Sequence, residues 1–123
     1  MSNEPTRVED VMSSPVEMIS PEASLVEAAN VMREKDINAL LVTTSEKGII
    51  TSTDIIAAVA DETPLDTLTV ADVMTEKVET VSPDLYMEEV AAMLTTYGIK
   101  HLPVFDGDYV GMISSSDVAA LLS

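Results

Sequence analysis

The chain has 123 residues, 46% of them hydrophobic, and 22 Asp and Glu against 6 Lys and Arg, a net charge of −16. That length and apolar content suit one compact domain with a real core. With no Cys, and His101 as the only His, disulfides, Cys-ligated zinc, thiol catalysis and a His-based metal site are excluded.

The acidity repels nucleic acid backbones and anionic lipid heads. The acids are spread along the chain rather than gathered in a tail, which fits the solvated surface of a salt-loving host better than a face for a basic partner. Residues 1–7 are polar and no apolar run approaches a membrane-crossing length, so a cytoplasmic protein without a signal peptide is the expectation.

In chain order, Val16 to Ile19 reads as a short strand ended by Ser20-Pro21. A helix follows, with Leu25, Ala28, Ala29 and Met32 at helical spacing. Ser24 and Glu27 form a capping box in front of it. Ala39 to Val42 is a buried strand, Ser45 to Gly48 a turn, Ile49-Ile50 a strand, and Ser52 to Val59 a helix. After a connection containing Pro64, the order returns. Asp84 is the expected cap of a helix whose apolar face is Met87, Val90, Ala91 and Leu94. A buried strand, Leu102 to Phe105, is followed by the hairpin signal Asp106-Gly107-Asp108, a strand from Val110 to Ile113, and a helix from Ser115 to Leu122. Met32, Met87 and Met93 read as core or interface filler.

That return is an internal repeat. Shifted by 62 positions, the chain matches itself at 13 of the 35 positions from 8 to 42. The matches include Val8, Asp10, Val11 and Met12 on Val70, Asp72, Val73 and Met74, and Val16-Glu17 on Val78-Glu79. Ser20-Pro21 falls on Ser82-Pro83. One inserted residue later, Gly48, Ile50, Ser52, Asp54 and Ala57 fall on Gly111, Ile113, Ser115, Asp117 and Ala120. The boundaries are residues 1–62 for the first repeat, 63–69 for a linker and 70–123 for the second. A repeat of roughly 55 residues is small for a core of its own, so the two are expected to fold as one body.

Each copy resembles a CBS domain, and the pair resembles a tandem CBS, or Bateman, module. The motifs that carry the resemblance are Val-x-Asp-Val-Met at the head of each copy, and Ile19-Ser20-Pro21 with Val81-Ser82-Pro83. Gly98-Ile99-Lys100-His101-Leu102-Pro103-Val104 and the paired Gly48-to-Asp54 and Gly111-to-Asp117 stretches complete the set. No single motif is decisive, but the ordered set occurs twice. The resemblance implies an α/β fold of the α+β sandwich type, two β-α-β-β-α repeats about a pseudo-two-fold axis. It also implies a homodimer through helices, and clefts between repeats that take AMP, ADP, ATP or S-adenosylmethionine. The role implied is regulatory, not enzymatic: no nucleophile–base pair or metal cluster is present. No cofactor is obligatory, an adenosine ligand being the regulator, and the regulated protein is unspecified.

The ribose and phosphate positions implied are Thr51, Asp54, Ser114 and Asp117. A carboxylate can accept from two vicinal ribose hydroxyls, and a hydroxyl three residues earlier shares the same strand-to-helix turn with the free N–H groups of the helix. The competing explanation is a helix cap: Thr51 as N-cap, Asp54 in the first turn. Family matching adds Ser20, Leu25, Ile37, Asn38 and Ala39 in the first copy, with Ser82, Met87, Ile99, Lys100, His101 and Met112 in the second. For Leu25, Ile37, Met87 and Ile99 the alternative is ordinary core. Lys100-His101 suits a phosphate, whereas the first copy has the uncharged Asn38-Ala39. Thr53 and Ser116 replace the basic residue often found before the Asp, and Leu41 against Pro103 and Asp36 against Gly98 separate the copies further. The sites are therefore expected to differ, the second being the stronger. The alternative function is a ligand-free dimerisation module.

Overall fold

Residues 5–44, 48–76 and 78–122 are described by the computed structural model. In order they form α1 (Val8–Val11), β1 (Met18–Ile19), α2 (Leu25–Lys35), β2 (Ala39–Val42), β3 (Gly48–Thr51) and α3 (Ser52–Ala60). Then follow α4 (Val70–Val73), β4 (Thr75–Glu76), α5 (Met87–Tyr97), β5 (His101–Phe105), β6 (Tyr109–Ser114) and α6 (Ser115–Leu122). The mixed α/β class agrees with the sequence reading. The expected β-α-β-β-α order appears in the first repeat, but in the second the place of β1 holds only a single bridge at Val81, and β4 stands in the place of Ser13-Ser14. The expected turn at Ser45 to Gly48 lies, for residues 45–47, outside the described residues.

The chain forms two compact units, and they do not coincide with the sequence repeats. Glu17–Val78 is one; the described residues up to Val16, with those from Glu79 onward, are the other. Each repeat thus gives its opening Val-x-Asp-Val-Met segment to the unit built on the other repeat. The two chain crossings, Val16-Glu17 and Val78-Glu79, are the same dipeptide one repeat apart.

In Glu17–Val78 the sheet order is β1-β2-β3-β4. β1 runs parallel to β2, and β3 is antiparallel to both its neighbours. β2 is an unbroken apolar run, buried at all four positions, as expected for a strand covered on both faces. Leu25, Ala28 and Met32 of α2, Leu40, Val42, Ile50, Ile55, Ala58 and Val70 form its core. Ser24 caps α2, its Oγ accepting from the Glu27 N–H at 3.1 Å, which is one half of the expected capping box. Asp36 ends it in the left-handed conformation at φ 55°.

The other unit pairs β5 with β6. Its outer positions are single bridges, Val81 to Val104 in parallel and Ser13 to Met112 in antiparallel. Val8, Val81, Met87, Val90, Leu94, Leu102, Val104 and Ile113 form its core. Gly107 turns the hairpin at φ 75° and Gly98 closes α5 at φ 65°. Asp84 does not cap α5. The turn begun at Ser82, whose carbonyl accepts from the Leu85 N–H at 3.2 Å, delays the helix so that Tyr86 is its N-cap. Asp84 instead pairs with Arg7 at 3.8 Å on the surface.

The opening helices are seated identically. Val8 and Glu9 donate their N–H groups to the carbonyls of Leu85 and Pro83, at 2.8 and 3.1 Å, and Val70 and Ala71 donate to Ala23 and Pro21 at 2.8 and 3.0 Å. The carbonyls around the Ser-Pro motifs thereby satisfy helix N–H groups that have no partner within a four-residue helix. Val8 and Val70 are fully buried.

Candidate functional site

In each unit the last strand of the repeat, β3 or β6, runs straight into a helix, and the Thr/Ser-x-x-Asp motif occupies that junction. Thr51 donates its N–H and Oγ1–H to Asp54 Oδ2, at 2.9 and 3.1 Å, and its Oγ1 accepts from the Asp54 N–H at 3.4 Å. Ser114 and Asp117 repeat the arrangement at 2.8, 3.0 and 3.3 Å. Both are half-buried capping boxes, so the helix-cap account of these residues holds. The same box, Thr69 with Asp72, starts α4 at the surface. At the two junctions both bonds from the Thr or Ser fall on Oδ2 of the Asp.

Strand pairing gathers several expected site residues around each box. Ala39 is the register partner of Thr51, and His101 that of Ser114. The first N–H of each helix donates back to the residue before the facing strand, Ser52 to the Asn38 carbonyl and Ser115 to the Lys100 carbonyl, both at 2.9 Å. Asn38 and Lys100 are therefore exposed neighbours of a helix N-terminus, in equivalent places. Among the described residues Lys100 has no ion pair, whereas Arg7 and Lys35 pair with Asp84 and Glu17.

The remaining candidates lie further out. Leu25 and Met87 are core residues, 0% and 4% exposed, and Ile37 and Ile99 pack against the same cores half-buried. Ala39 is buried. Ser20 and Ser82 are exposed, each with Oγ accepting from the N–H two residues on, at 3.1 and 3.2 Å. Met112 is half-buried on β6, its backbone paired with Ser13.

Sequence reasoning did not reach the residues that hold each site strand from its far side. A Cβ on Gly111 would meet Met12 Sδ at 2.7 Å and the Ser13 carbonyl at 2.8 Å; on Gly48 it would meet the Thr75 carbonyl at 2.9 Å and Met74 Sδ at 3.0 Å. The signal was present in two identities, Gly48 with Gly111 and Met12 with Met74, which are the two sides of one contact.

The CBS domain family model matches residues 8–61 and 70–123. The chain belongs to the CBS domain family. As a CBS pair it is 34% identical over 122 residues to a homoserine O-acetyltransferase of Methanohalobium evestigatum, covering 95% of this chain and 24% of that protein. The chain spans about a quarter of the length of the first curated relatives it matches. Among solved structures, the CBS domain pair of protein MJ0100 in complex with 5′-methylthioadenosine and S-adenosyl-L-methionine is 31% identical. It matches with a TM-score of 0.87 over 97% of both chains. A hexameric CBS-CP12 protein from bloom-forming cyanobacteria is 28% identical, with a TM-score of 0.91 over 97% of this chain and 73% of that one. Among the described residues of the CBS pair, no helix is long and apolar enough to cross a membrane.

Proposed function

We propose that this CBS pair is a non-catalytic regulatory module that senses an adenosine-bearing ligand, with the stronger site on Ser114, Asp117, Lys100 and His101. The observation that carries the reading is the similarity, over 97% of both chains, to a CBS pair solved with 5′-methylthioadenosine and S-adenosyl-L-methionine. The local geometry supports it. Ser114 engages Oδ2 of Asp117, so Oδ1 is the oxygen that would accept from ribose hydroxyls, and Lys100 stands beside the α6 N-terminus, where a phosphate or carboxylate of the ligand is favoured. In the Thr51–Asp54 site, Asn38 takes the place of Lys100 and adds no charge, so an uncharged adenosine derivative suits it better. Ile37, Ile99 and the strand backbone at Ala39 and His101 would flank the base, with Ser20, Ser82 and Met112 at the periphery. Binding would favour one state of the module, which a protein partner reads.

A ligand-free dimerisation module is the second reading. Ile56 and Val59 of α3, 65% and 53% exposed, favour it, since such an apolar helix face suits a second copy.

Calorimetric titration at high salt with AMP, ADP, ATP, NAD, S-adenosylmethionine and 5′-methylthioadenosine tests the first reading. A binder at 100 times its Kd adds about 2.7 kcal/mol to stability, visible as a raised Tm. Asp117→Asn removes more of the binding than Asp54→Asn. Silence from every adenosine compound overturns the reading, and equal losses overturn the ranking of sites.

A further inference from the structure

Residues 5–16 complete the unit built on β5 and β6, yet they reach it without a short covalent tether. The whole of Glu17–Val78, a separate compact unit, intervenes in the chain. What holds them is a non-covalent seam. Val8 and Glu9 donate to Leu85 and Pro83, Met87 donates to the Thr6 carbonyl at 2.9 Å, and Ser13 and Met112 exchange two bonds at 2.9 and 3.0 Å. Val8 fills the core, and Arg7 lies over the Tyr86 ring at 5.3 Å while pairing with Asp84.

The equivalent segment of the other unit is anchored more firmly. Leu68 to Glu76 follows α3 within the same unit, and β4 pairs two residues with β3. The seam at Ser13 pairs one. Two residues on stands Pro15, which has no N–H with which to continue the ladder.

We propose that residues 5–16 are a detachable strap, and that its seating and the formation of the Ser114–Asp117 site are positively coupled. Local opening proceeds through the segments held by the fewest contacts. Release of the strap empties the core position of Val8 and leaves the Gly111–Met112 edge of β6 unpaired, two residues before Ser114. A strand freed on that edge holds the box at its end less rigidly, so a ligand that needs the box favours the seated strap by the same factor that the strap favours the ligand. The coupling to ligand rests on the proposed function; release of the strap does not.

Hydrogen exchange on the 123-residue chain separates the two. Arg7→Ala, an exposed change that leaves the core intact, and Val8→Ala are each compared with wild type. The expected result is exchange at least tenfold faster across residues 109–114 in Val8→Ala, and a smaller acceleration of the same residues in Arg7→Ala. Residues 48–51 are unchanged in both. Titrated with 5′-methylthioadenosine, Val8→Ala binds several-fold more weakly, and saturating ligand restores protection at 109–114. Equal acceleration in 48–51 and 109–114, or none in 109–114, overturns the strap. Faster exchange with unchanged affinity overturns the coupling alone. A wild-type chain that binds no adenosine compound overturns the functional reading while leaving the exchange result to judge the strap.

Discussion

The unit built on β2 and β3 and the unit built on β5 and β6 share an order of elements but not the strength of their edges. In the first, Leu41 donates its N–H to the Glu17 carbonyl at 3.0 Å and Thr43 donates to Ile19 at 3.0 Å, giving a two-residue parallel strand. In the second, Pro103 stands where Leu41 does and has no N–H to give. Only the bonds at Val81 remain, Val81 donating to Pro103 and Phe105 donating to Val81, at 3.0 and 2.9 Å. The opposite edge repeats the lesson, with two paired residues at β4 against one at Ser13. Two prolines, one on each side, thus turn a four-stranded sheet into a two-stranded one with bridged borders.

The largest test of this contrast is at the glycines. Gly111→Ala forces a Cβ against Met12 and the Ser13 backbone, and is expected to cost about 3 kcal/mol by urea denaturation, the upper end for overpacking. Gly48→Ala, meeting similar atoms from a segment tethered within its own unit, costs about 2 kcal/mol and leaves residues 109–114 protected in hydrogen exchange. A tolerated Gly111→Ala would contradict the close approach of the opening segment. Next in size, Leu41→Pro removes the donor to Glu17 and should cost about 1–3 kcal/mol, with exchange at residues 17–19 rising to match residues 79–81. If the edge of β1 survives, proline is not the cause of the difference.

The helix ends provide a finer test. Both α2 and α5 stop in the left-handed region, one on Asp36 and the other on Gly98. Gly98→Ala should lower stability by about 1 kcal/mol and Asp36→Gly should raise it by up to about 1 kcal/mol, read as opposite shifts in Tm. Smallest in its contrast is the pair of caps. Thr51→Ala and Ser114→Ala should each cost about 1 kcal/mol, because the two boxes have the same geometry. A ligand should separate them, with only Ser114→Ala weakening its binding strongly.

Much of this was legible in the residues. The repeat, the helical faces of α2 and α5, the buried runs of β2 and β5 and the Asp106-Gly107-Asp108 turn are local patterns, and each formed where its pattern lies. The four-residue helices α1 and α4 are too short to show a period, and their destination is set by contacts distant in the chain, from Val70 to Ala23 at the nearest and from Val8 to Leu85 at the farthest. Asp84 was misplaced because a turn, begun by Ser82, intervened before the helix. Leu41 against Pro103 and Asp36 against Gly98 read in the sequence as differences in ligand preference. In the structure they have backbone causes, an edge ladder and a helix terminus. Of the candidate site, the strand-to-helix boxes lie where the Thr/Ser-x-x-Asp spacing put them, and strand pairing sets Asn38, Ala39, Lys100 and His101, which only the family resemblance had named, beside them. Leu25 and Met87 are core, as side chains at those helical positions usually are.

The exchange of opening segments has a consequence for how this chain can change over generations. The carbonyls of Pro83 and Leu85 serve residues 8 and 9, and those of Pro21 and Ala23 serve residues 70 and 71. A change in one loop is therefore compensated in the other repeat, not in its own. Correlated substitutions should link 8 with 85 and 23 with 70, crossing the midpoint of the chain twice. A recombination that replaced one repeat cleanly at its sequence borders would break both sets of pairings at once.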